Sequence, residues 1–155
     1  MLLTNEKAPV TLGLFAVITT DQYFRWPGHE PALKPHEPHH MDAAIVLLSS
    51  VNHLLTRLDW QYLIDSDTGC SISGAKDGRG DGGFRLATAT TGAPLSAHKK
   101  AHAVDVYDPA DFLDSILTDE LLDDYGLYRE HPDATHGWCH LQDLPPASKR
   151  RSFYP

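Results

Sequence analysis

The sequence lacks most of the features that identify specialised protein classes. Only two cysteines, Cys70 and Cys139, occur in 155 residues. Two thiols are too few for a disulfide scaffold, so we expect both to be reduced and structural. No apolar stretch approaches the roughly 20 residues of a membrane-spanning helix, and no internal repeat is visible. The chain is therefore expected to be a soluble protein without a membrane span.

Positive charge is also scarce. The formal net charge is −8, and the longest run of basic residues is Lys149-Arg150-Arg151 near the end. This argues against a protein that binds nucleic acid or an anionic membrane through its charge. Glu6 stands where a signal peptide would be basic, and no small-residue cleavage site follows. We therefore predict no signal peptide and a protein that is cytoplasmic at synthesis.

What is present is typical of one globular domain. Apolar residues make up 41% of the chain and charged residues 22%, which is ordinary for a soluble protein. We expect a single domain over residues 1–155 and a monomer. Residues 1–41 are predicted to be an N-terminal extension ending in a surface loop rich in proline and histidine (26–40), and residues 42–155 the core.

Two helices are predicted from apolar residues spaced three and four apart. The first begins after Asp42 as N-cap and continues to Leu58. The second opens at Asp108-Pro109, with Asp as cap and Pro at the first helical position, and ends at Gly126.

Strands are predicted where apolar and polar residues alternate. In residues 102–107, Ala103, Asp105 and Tyr107 share one face, opposite Val104 and Val106. In residues 137–144, Trp138, His140 and Gln142 share one face, opposite Cys139 and Leu141. Short apolar pieces in residues 60–73 are also suited to strands, and residues 74–92 form a glycine-rich loop. The expected fold class is α+β, a small, mainly antiparallel sheet with helices packed on one side.

A possible metal centre follows from the two alternating segments. Asp105 is a carboxylate between apolar neighbours, which is costly to bury unless it is paired or bound to a metal. His140 lies on the polar face of the second segment, and His98 precedes the first. Two imidazoles and one carboxylate leave a fourth zinc position open, as in catalytic sites. From spacing alone, Asp105 as a cap or ion-pair partner and His140 as a hydrogen-bonded core residue remain alternatives.

These residues belong to a longer pattern. Ser96-x-His98-x-x-Ala101-x-Ala103-x-Asp105, followed by Trp138-x-His140, resembles the signature of the zinc D-Ala-D-Ala carboxypeptidase and peptidoglycan endopeptidase family. The family pattern is S-x-H-x-x-G-x-A-x-D with a later W-x-H. Ser73-Gly74-Ala75-Lys76 is similar to its S-G-[YW]-R segment. The ending of the chain, from Gly126 onward, resembles that of phage and prophage members.

The resemblance implies a hedgehog/DD-peptidase type fold and a Zn²⁺ ion bound by His98, Asp105 and His140. It also implies hydrolysis of an amide bond in peptidoglycan peptides that contain D-amino acids. Similarity to phage endolysins implies action on the cell wall after holin-type release. D,D-carboxypeptidase, D,D-endopeptidase and L-Ala-D-Glu endopeptidase activities all stay open.

Three residues depart from the family pattern. Ala101 replaces a glycine, which is tolerable if the backbone there is not at positive φ. Lys76 replaces the arginine that binds the substrate carboxylate, so Arg79 or Arg85 is expected to take part in substrate binding, together with Lys76 and Ser96. Gly137 replaces an acidic general base.

The missing acidic residue makes other groups candidates for the general base. We expect Glu130 in this role because a carboxylate just after the Gly126-Leu127-Tyr128 turn recurs in the similar phage proteins. His136 is the second choice, since an imidazole near neutral pKa suits acid and base roles. A zinc-binding but catalytically inactive wall-binding protein and a structural phage component are the competing hypotheses.

Overall fold

The computed structural model describes residues 17–27, 32–60, 63–74 and 81–155. Two of the residues predicted to bind substrate, Lys76 and Arg79, lie outside these ranges. The fold is α+β, with one small mixed sheet and few helices. The α-helices are α1 Thr20–Phe24, α2 Pro38–Arg57, α3 Phe112–Ile116 and α4 Asp119–Asp124. Two 3₁₀ turns lie at Ala97–Lys100 and Pro132–Ala134.

The four strands of the sheet are β1 Ala103–Tyr107, β2 Tyr128–Glu130, β3 Trp138–Gln142 and β4 Ser152–Phe153. Their spatial order is β1-β3-β2-β4. Both neighbours of β3 run antiparallel to it, whereas β2 and β4 run parallel. The predicted mainly antiparallel sheet is therefore confirmed in its central strands and is mixed at one edge.

The two predicted alternating segments form the centre of the sheet, as β1 and β3. Val104 and Val106 of β1 and Cys139 and Leu141 of β3 enter the hydrophobic core together with the apolar residues of the helices. Their polar neighbours face away from this core. Each central strand therefore keeps one apolar and one polar face, and the polar faces of both strands point to the same side of the sheet.

Helix α2 begins earlier than the apolar spacing predicts. Helix α2 begins at Pro38, with Glu37 as N-cap, and not after Asp42. Proline suits the first helical turn because its missing N–H would have no partner there. His39 and His40, predicted to lie in a loop, are therefore helical. The stripe itself is confirmed, since Ala44, Leu47, Leu48, Val51, Leu54 and Leu55 are all buried.

Residues before position 42 also contribute to the core. Tyr23 and Phe24 of α1 are fully buried, and the Tyr23 hydroxyl donates to the Ala103 carbonyl at 2.8 Å. Phe24 stacks on His36, with 3.9 Å between ring centroids. The core thus includes described parts of the segment that was expected to be an extension.

The second predicted helix is two short ones. The chain is extended at Leu117, and Thr118 caps a new helix by accepting a hydrogen bond from Leu121 N at 3.2 Å. Asp108 does act as a capping acceptor, but for the N–H groups of residues 112–114. The break shifts the buried position from Leu121 to Leu122. The predicted stop at Gly126 agrees with its φ of 65°.

The described residues of the segment 60–73, which are 60 and 63–73, do not form the predicted strands. The described part of this segment has only isolated bridges, Asp65 with Cys70 and Ile72 with Val106.

Cys70 and Cys139 are both buried, and they form no disulfide with each other, as expected. In the described ranges, no helix has the length and apolar character needed to cross a membrane.

The glycine-rich loop reaches the free edge of β1. Gly82 O accepts from Asp105 N at 2.8 Å, and Ser73 N donates to Asp105 O at 2.8 Å. A Cβ at Gly82 would collide with the Ser73 carbonyl oxygen and would lie 3.2 Å from the Asp105 Cβ. Only glycine allows the loop to pass this close to the strand.

We expect Gly82→Ala to lower the free energy of unfolding by about 1–3 kcal/mol, the usual cost of overpacking. It should also weaken metal binding, because the strand residue displaced is Asp105. Gly126→Ala is the matched control, since a Cβ there meets open space although φ is positive. Denaturant unfolding and metal titration would measure both effects. Unchanged metal affinity in a destabilised Gly82→Ala protein would contradict the predicted link to Asp105.

Candidate metal centre

The sheet register brings a carboxylate and an imidazole face to face. Asp105 of β1 is directly opposite His140 of β3. The backbone N–H and C=O of Asp105 bond to Gly82 and Ser73 on the other edge, so Asp105 and His140 are a non-hydrogen-bonded pair. Side chains of such pairs approach more closely than those of hydrogen-bonded pairs. The register therefore favours direct contact between the two side chains.

The third member of the cluster enters from the 3₁₀ turn before β1. His98 lies in this turn, and Ala101 ends it in the left-handed conformation, with φ 60° and ψ 34°. Because φ at Ala101 is positive, alanine is strained here, whereas the glycine of the motif that the sequence resembles would not be. A left-handed L-residue costs roughly 1–2 kcal/mol. The turn nevertheless places His98 beside the polar face of β1.

Three ligand atoms converge in this cluster. His98 Nε2 is 3.2 Å from Asp105 Oδ1, His140 Nδ1 is 2.9 Å from the same oxygen, and the two imidazole nitrogens are 3.3 Å apart. All three residues are buried. Ligand atoms about 2.0–2.1 Å from a tetrahedral ion are separated by about 3.3 Å. The triangle therefore has the size of one face of a tetrahedral metal site, and this group could hold a metal ion.

The outer nitrogens of both histidines are fixed by hydrogen bonds. His98 Nδ1 donates to the Gly83 carbonyl at 2.9 Å, which leaves Nε2 available as a ligand. His140 Nε2 donates to Gln142 Oε1 at 2.9 Å. The amide orientation of Gln142 is set in turn, because its Nε2 donates to Leu144 O at 2.6 Å. Such partners orient metal-binding histidines and select the tautomer.

The free oxygen of the carboxylate has a partner as well. Asp105 Oδ2 is 3.4 Å from Arg85 Nη2, and Arg85 Nε donates to the Asp81 carbonyl at 2.7 Å. Arg85, predicted to bind substrate, thus directs its guanidinium at a metal-ligand candidate. Gln142, the Gly83 carbonyl and this orientation of Arg85 were not predicted. The alternation that placed Gln142 on the same face as His140 was the one available signal.

The charges of the cluster are strongly coupled. Burial favours a neutral carboxyl, but the charges and hydrogen bonds of His98 and His140 hold the pKa of Asp105 well below its usual range. Burial lowers the pKa of His98, with Asp105 acting against it. Burial also acts to lower the pKa of His140, but the hydrogen bond and charge of Asp105 outweigh it and raise this pKa. Metal binding would therefore compete with protonation of His140.

Glu130 lies next to the metal-ligand candidates. Its Oε1 is 3.9 Å from His140 Nδ1, and its side chain is 23% exposed. The β2–β3 register pairs Arg129 with Leu141, so one step further along it Glu130 faces His140. Burial raises the pKa of Glu130, whereas His140 and Arg85 act in the opposite direction. The structure therefore brings Glu130 to the cluster in a half-buried position.

His136 is placed differently. Its side chain is 64% exposed, and its Nδ1 is 3.6 Å from Asp111 Oδ2. It is not among the residues that line the cavity beside the cluster. Gly137 has a φ of 92° and donates its N–H to Asp111 Oδ1 at 2.7 Å. A glutamate at this position would be strained.

A cavity of about 790 Å³ opens beside the cluster, within the usual size range of small-molecule sites. Asp105, His140 and Glu130 lie on three neighbouring strands, and Phe153 of β4 pairs with Glu130. All four residues line the cavity, as do His98, Arg85 and Ser96. Lys100, which the sequence interpretation did not single out, lies at its exposed rim. Leu144, Pro145, Pro146 and Tyr154 also line the cavity and make part of its surface apolar.

Comparisons with known proteins do not identify a family. No protein-family model matches the chain, no curated protein matches it, and no solved structure matches it. The metal-ligand candidates, the cavity and the sequence motif are therefore the observations from which the function is inferred.

Proposed function

We propose that this chain is a zinc-dependent peptidase that hydrolyses an amide bond in bacterial peptidoglycan peptides, with a hedgehog/DD-peptidase type fold. The observation that carries this proposal is the His98, Asp105 and His140 cluster at the wall of an open cavity, with the Glu130 carboxylate beside it. Metal ligands alone are common in structural sites. Here three ligands, a neighbouring base and a substrate-sized cavity occur together, which is the arrangement of a hydrolytic site.

Zinc is the metal that best fits these residues. Two imidazoles and one carboxylate in a triangle of tetrahedral size suit Zn²⁺, although cobalt and manganese accept the same ligand types. When bound, the ion supplies Lewis acidity that polarises a carbonyl and lowers the pKa of a water to about 7.

The side chains around the cavity divide the remaining work. Glu130 accepts a proton from the attacking water as the new C–O bond forms, and returns it to the amine nitrogen as the C–N bond breaks. His98, Asp105 and His140 stay fixed by their outer hydrogen bonds, so little reorganisation accompanies the reaction. The apolar residues that line the cavity exclude bulk water from part of it.

The substrate assignment is supported by the sequence motif. The resemblance to peptidoglycan peptidases extends over the metal ligands and Trp138-x-His140, and these residues come together in space. A free protein of net charge −8 is repelled by anionic wall polymers. This favours local recognition of a peptide in the cavity over retention on the wall through charge.

An inactive wall-binding protein is the alternative, and Gly137 is the observation that favours it. A protein of this kind would bind metal but release no product from the wall. At the positive φ of Gly137, glycine is the residue that fits the backbone conformation without strain. The missing acidic residue is therefore compatible with activity if Glu130 acts in its place.

Mass spectrometry of the peptides released from purified sacculi tests both functions. We expect zinc-loaded protein to release a defined product, and His140→Ala protein to release none. The mass of the product would distinguish the loss of a terminal D-alanine from cleavage of a crosslink or of an L-Ala-D-Glu bond. Zinc bound at one equivalent without any product would overturn the peptidase proposal in favour of wall binding.

A further inference from the structure

We propose that Arg85, backed by Asp81 and Lys34, is a positioning residue for the metal centre. Lys34, Asp81, Arg85 and Asp105 carry charges of alternating sign, and each contacts the next in this order. This role requires the metal site but not peptidase activity, so the two can fail independently.

Arg85 holds one oxygen of the carboxylate and leaves the other to the metal. Asp105 Oδ1 faces both histidines, whereas Oδ2 faces the Arg85 guanidinium at 3.4 Å. The guanidinium is itself anchored by the Asp81 carbonyl, and its side chain is 12% exposed. With Oδ2 engaged, Asp105 is set to bind a metal through a single oxygen. A fourth coordination position then stays open.

Lys34 anchors the loop from which Arg85 extends. Its side chain is only 2% exposed, and its ammonium donates to the Phe84 carbonyl and lies 3.4 Å from Asp81 Oδ1. The Trp26 ring lies below it, with 5.8 Å from Nζ to the centroid, within the range of a cation–π contact. A buried ammonium is costly unless it is paired. Lys34 thus depends on the loop for its own partners and fixes the loop in return.

The anchored loop, residues 81–85, supplies two of the contacts that orient the metal ligands. Gly83 O accepts a hydrogen bond from His98 Nδ1, and the Arg85 guanidinium contacts the Asp105 carboxylate. In addition, Arg85 N donates to His98 O at 3.2 Å and Phe84 N donates to Tyr23 O at 3.0 Å. A displacement of this loop would therefore move partners of both ligands at once.

The sign of the change in metal affinity separates positioning from a simple effect of charge. Arg85 and Lys34 are cations near a site for a divalent cation. By Coulomb's law, removal of either charge should tighten metal binding. Loss of positioning should weaken it, since outer partners of metal ligands are typically worth about 10- to 100-fold in affinity.

The experiment is a zinc titration of the full chain against a chromogenic chelator. We expect Arg85→Gln to weaken zinc binding about 10- to 100-fold, and Lys34→Met, one step more remote, to weaken it by a smaller factor. Arg150→Gln, which removes an exposed charge away from the cavity, is the control and should leave the affinity unchanged. Circular dichroism and thermal unfolding of the metal-free proteins check that each variant folds.

Cobalt absorption provides a second measurement that a merely structural role would not change. In Arg85→Gln, Asp105 Oδ2 no longer contacts a guanidinium and should also bind the metal. The cobalt absorption spectrum should then change from that of a four-coordinate ion to that of a five-coordinate ion. If Lys34→Met does not fold, Asp81→Asn tests the same connection at a position that is 18% exposed. Unchanged or tighter zinc binding in a folded Arg85→Gln protein would overturn the positioning role.

Discussion

Replacement of His140 by alanine is expected to weaken metal binding by more than about 100-fold, because even outer-shell partners are worth about 10- to 100-fold. His140 supplies one of only three converging ligand atoms in the cluster. It also places a hydrogen bond on Asp105 Oδ1 at 2.9 Å. Without the imidazole, the metal would retain two protein ligands, and amide hydrolysis should fall to background.

Isothermal titration with zinc and a metal assay after dialysis would measure this loss. His53→Ala is a matched control, since His53 is exposed on α2 and lies away from the cavity. The metal-free His140→Ala protein should unfold cooperatively, which separates loss of a ligand from loss of the fold. Retention of one tightly bound zinc ion by the folded variant would show that the metal site lies elsewhere.

Two of the three metal-ligand candidates, Asp105 and His140, could be predicted because they lie in strands with a strict period of two. In β1 and β3, one face is required for the core, so the polar residues that remain share the opposite face. Asp105 and His140 stand out on that face in the sequence alone. No periodicity selects His98, which was a candidate from its position just ahead of the first strand and then from the motif.

The spatial arrangement of the candidate site could not be predicted in the same way. The pairing of Asp105 with His140, and the position of Glu130 beside it, depend on the register between strands far apart in sequence. Register is set by packing and turns together. The contributions of Gly83 and Gln142 likewise depend on contacts that no local pattern contains.

The helix boundaries were misplaced because two local signals competed. Asp42 is a good N-cap, but Pro38 fits the first turn and the helix begins there. In the second helix, the apolar spacing continues past Leu117, while Thr118 starts a new helix with its side-chain cap. Spacing alone carries no information about such a break.

Backbone conformation gives opposite costs to two departures from the peptidase motif that the sequence resembles. Ala101 adopts a left-handed conformation, in which the glycine of the motif would be less strained than alanine. Gly137 adopts a φ of 92°, so an acidic residue there would be disfavoured. The sequence shows each substitution but not the φ angle that determines its cost.

Glu130→Gln is expected to separate metal binding from catalysis. Glutamine matches glutamate in size but cannot accept the proton of the attacking water. General-base residues typically contribute about 10²- to 10⁴-fold to the rate, so we expect kcat to fall by about that factor. Glu130 is not one of the three ligand candidates, so the variant should still bind one equivalent of zinc.

The test is kcat on a soluble peptidoglycan peptide together with zinc stoichiometry for the same preparation. His136→Ala is the parallel variant, because His136 was the second candidate for the base. The His136 side chain is 64% exposed, and its Nδ1 lies 3.6 Å from Asp111 Oδ2. It does not line the cavity, so we expect the kcat of His136→Ala to be close to that of the unmodified protein. A fully active Glu130→Gln protein combined with an inactive, zinc-loaded His136→Ala protein would reassign the base. It would also imply that the loop around Gly137 moves toward the cavity when substrate binds, because His136 does not line the cavity in the present arrangement.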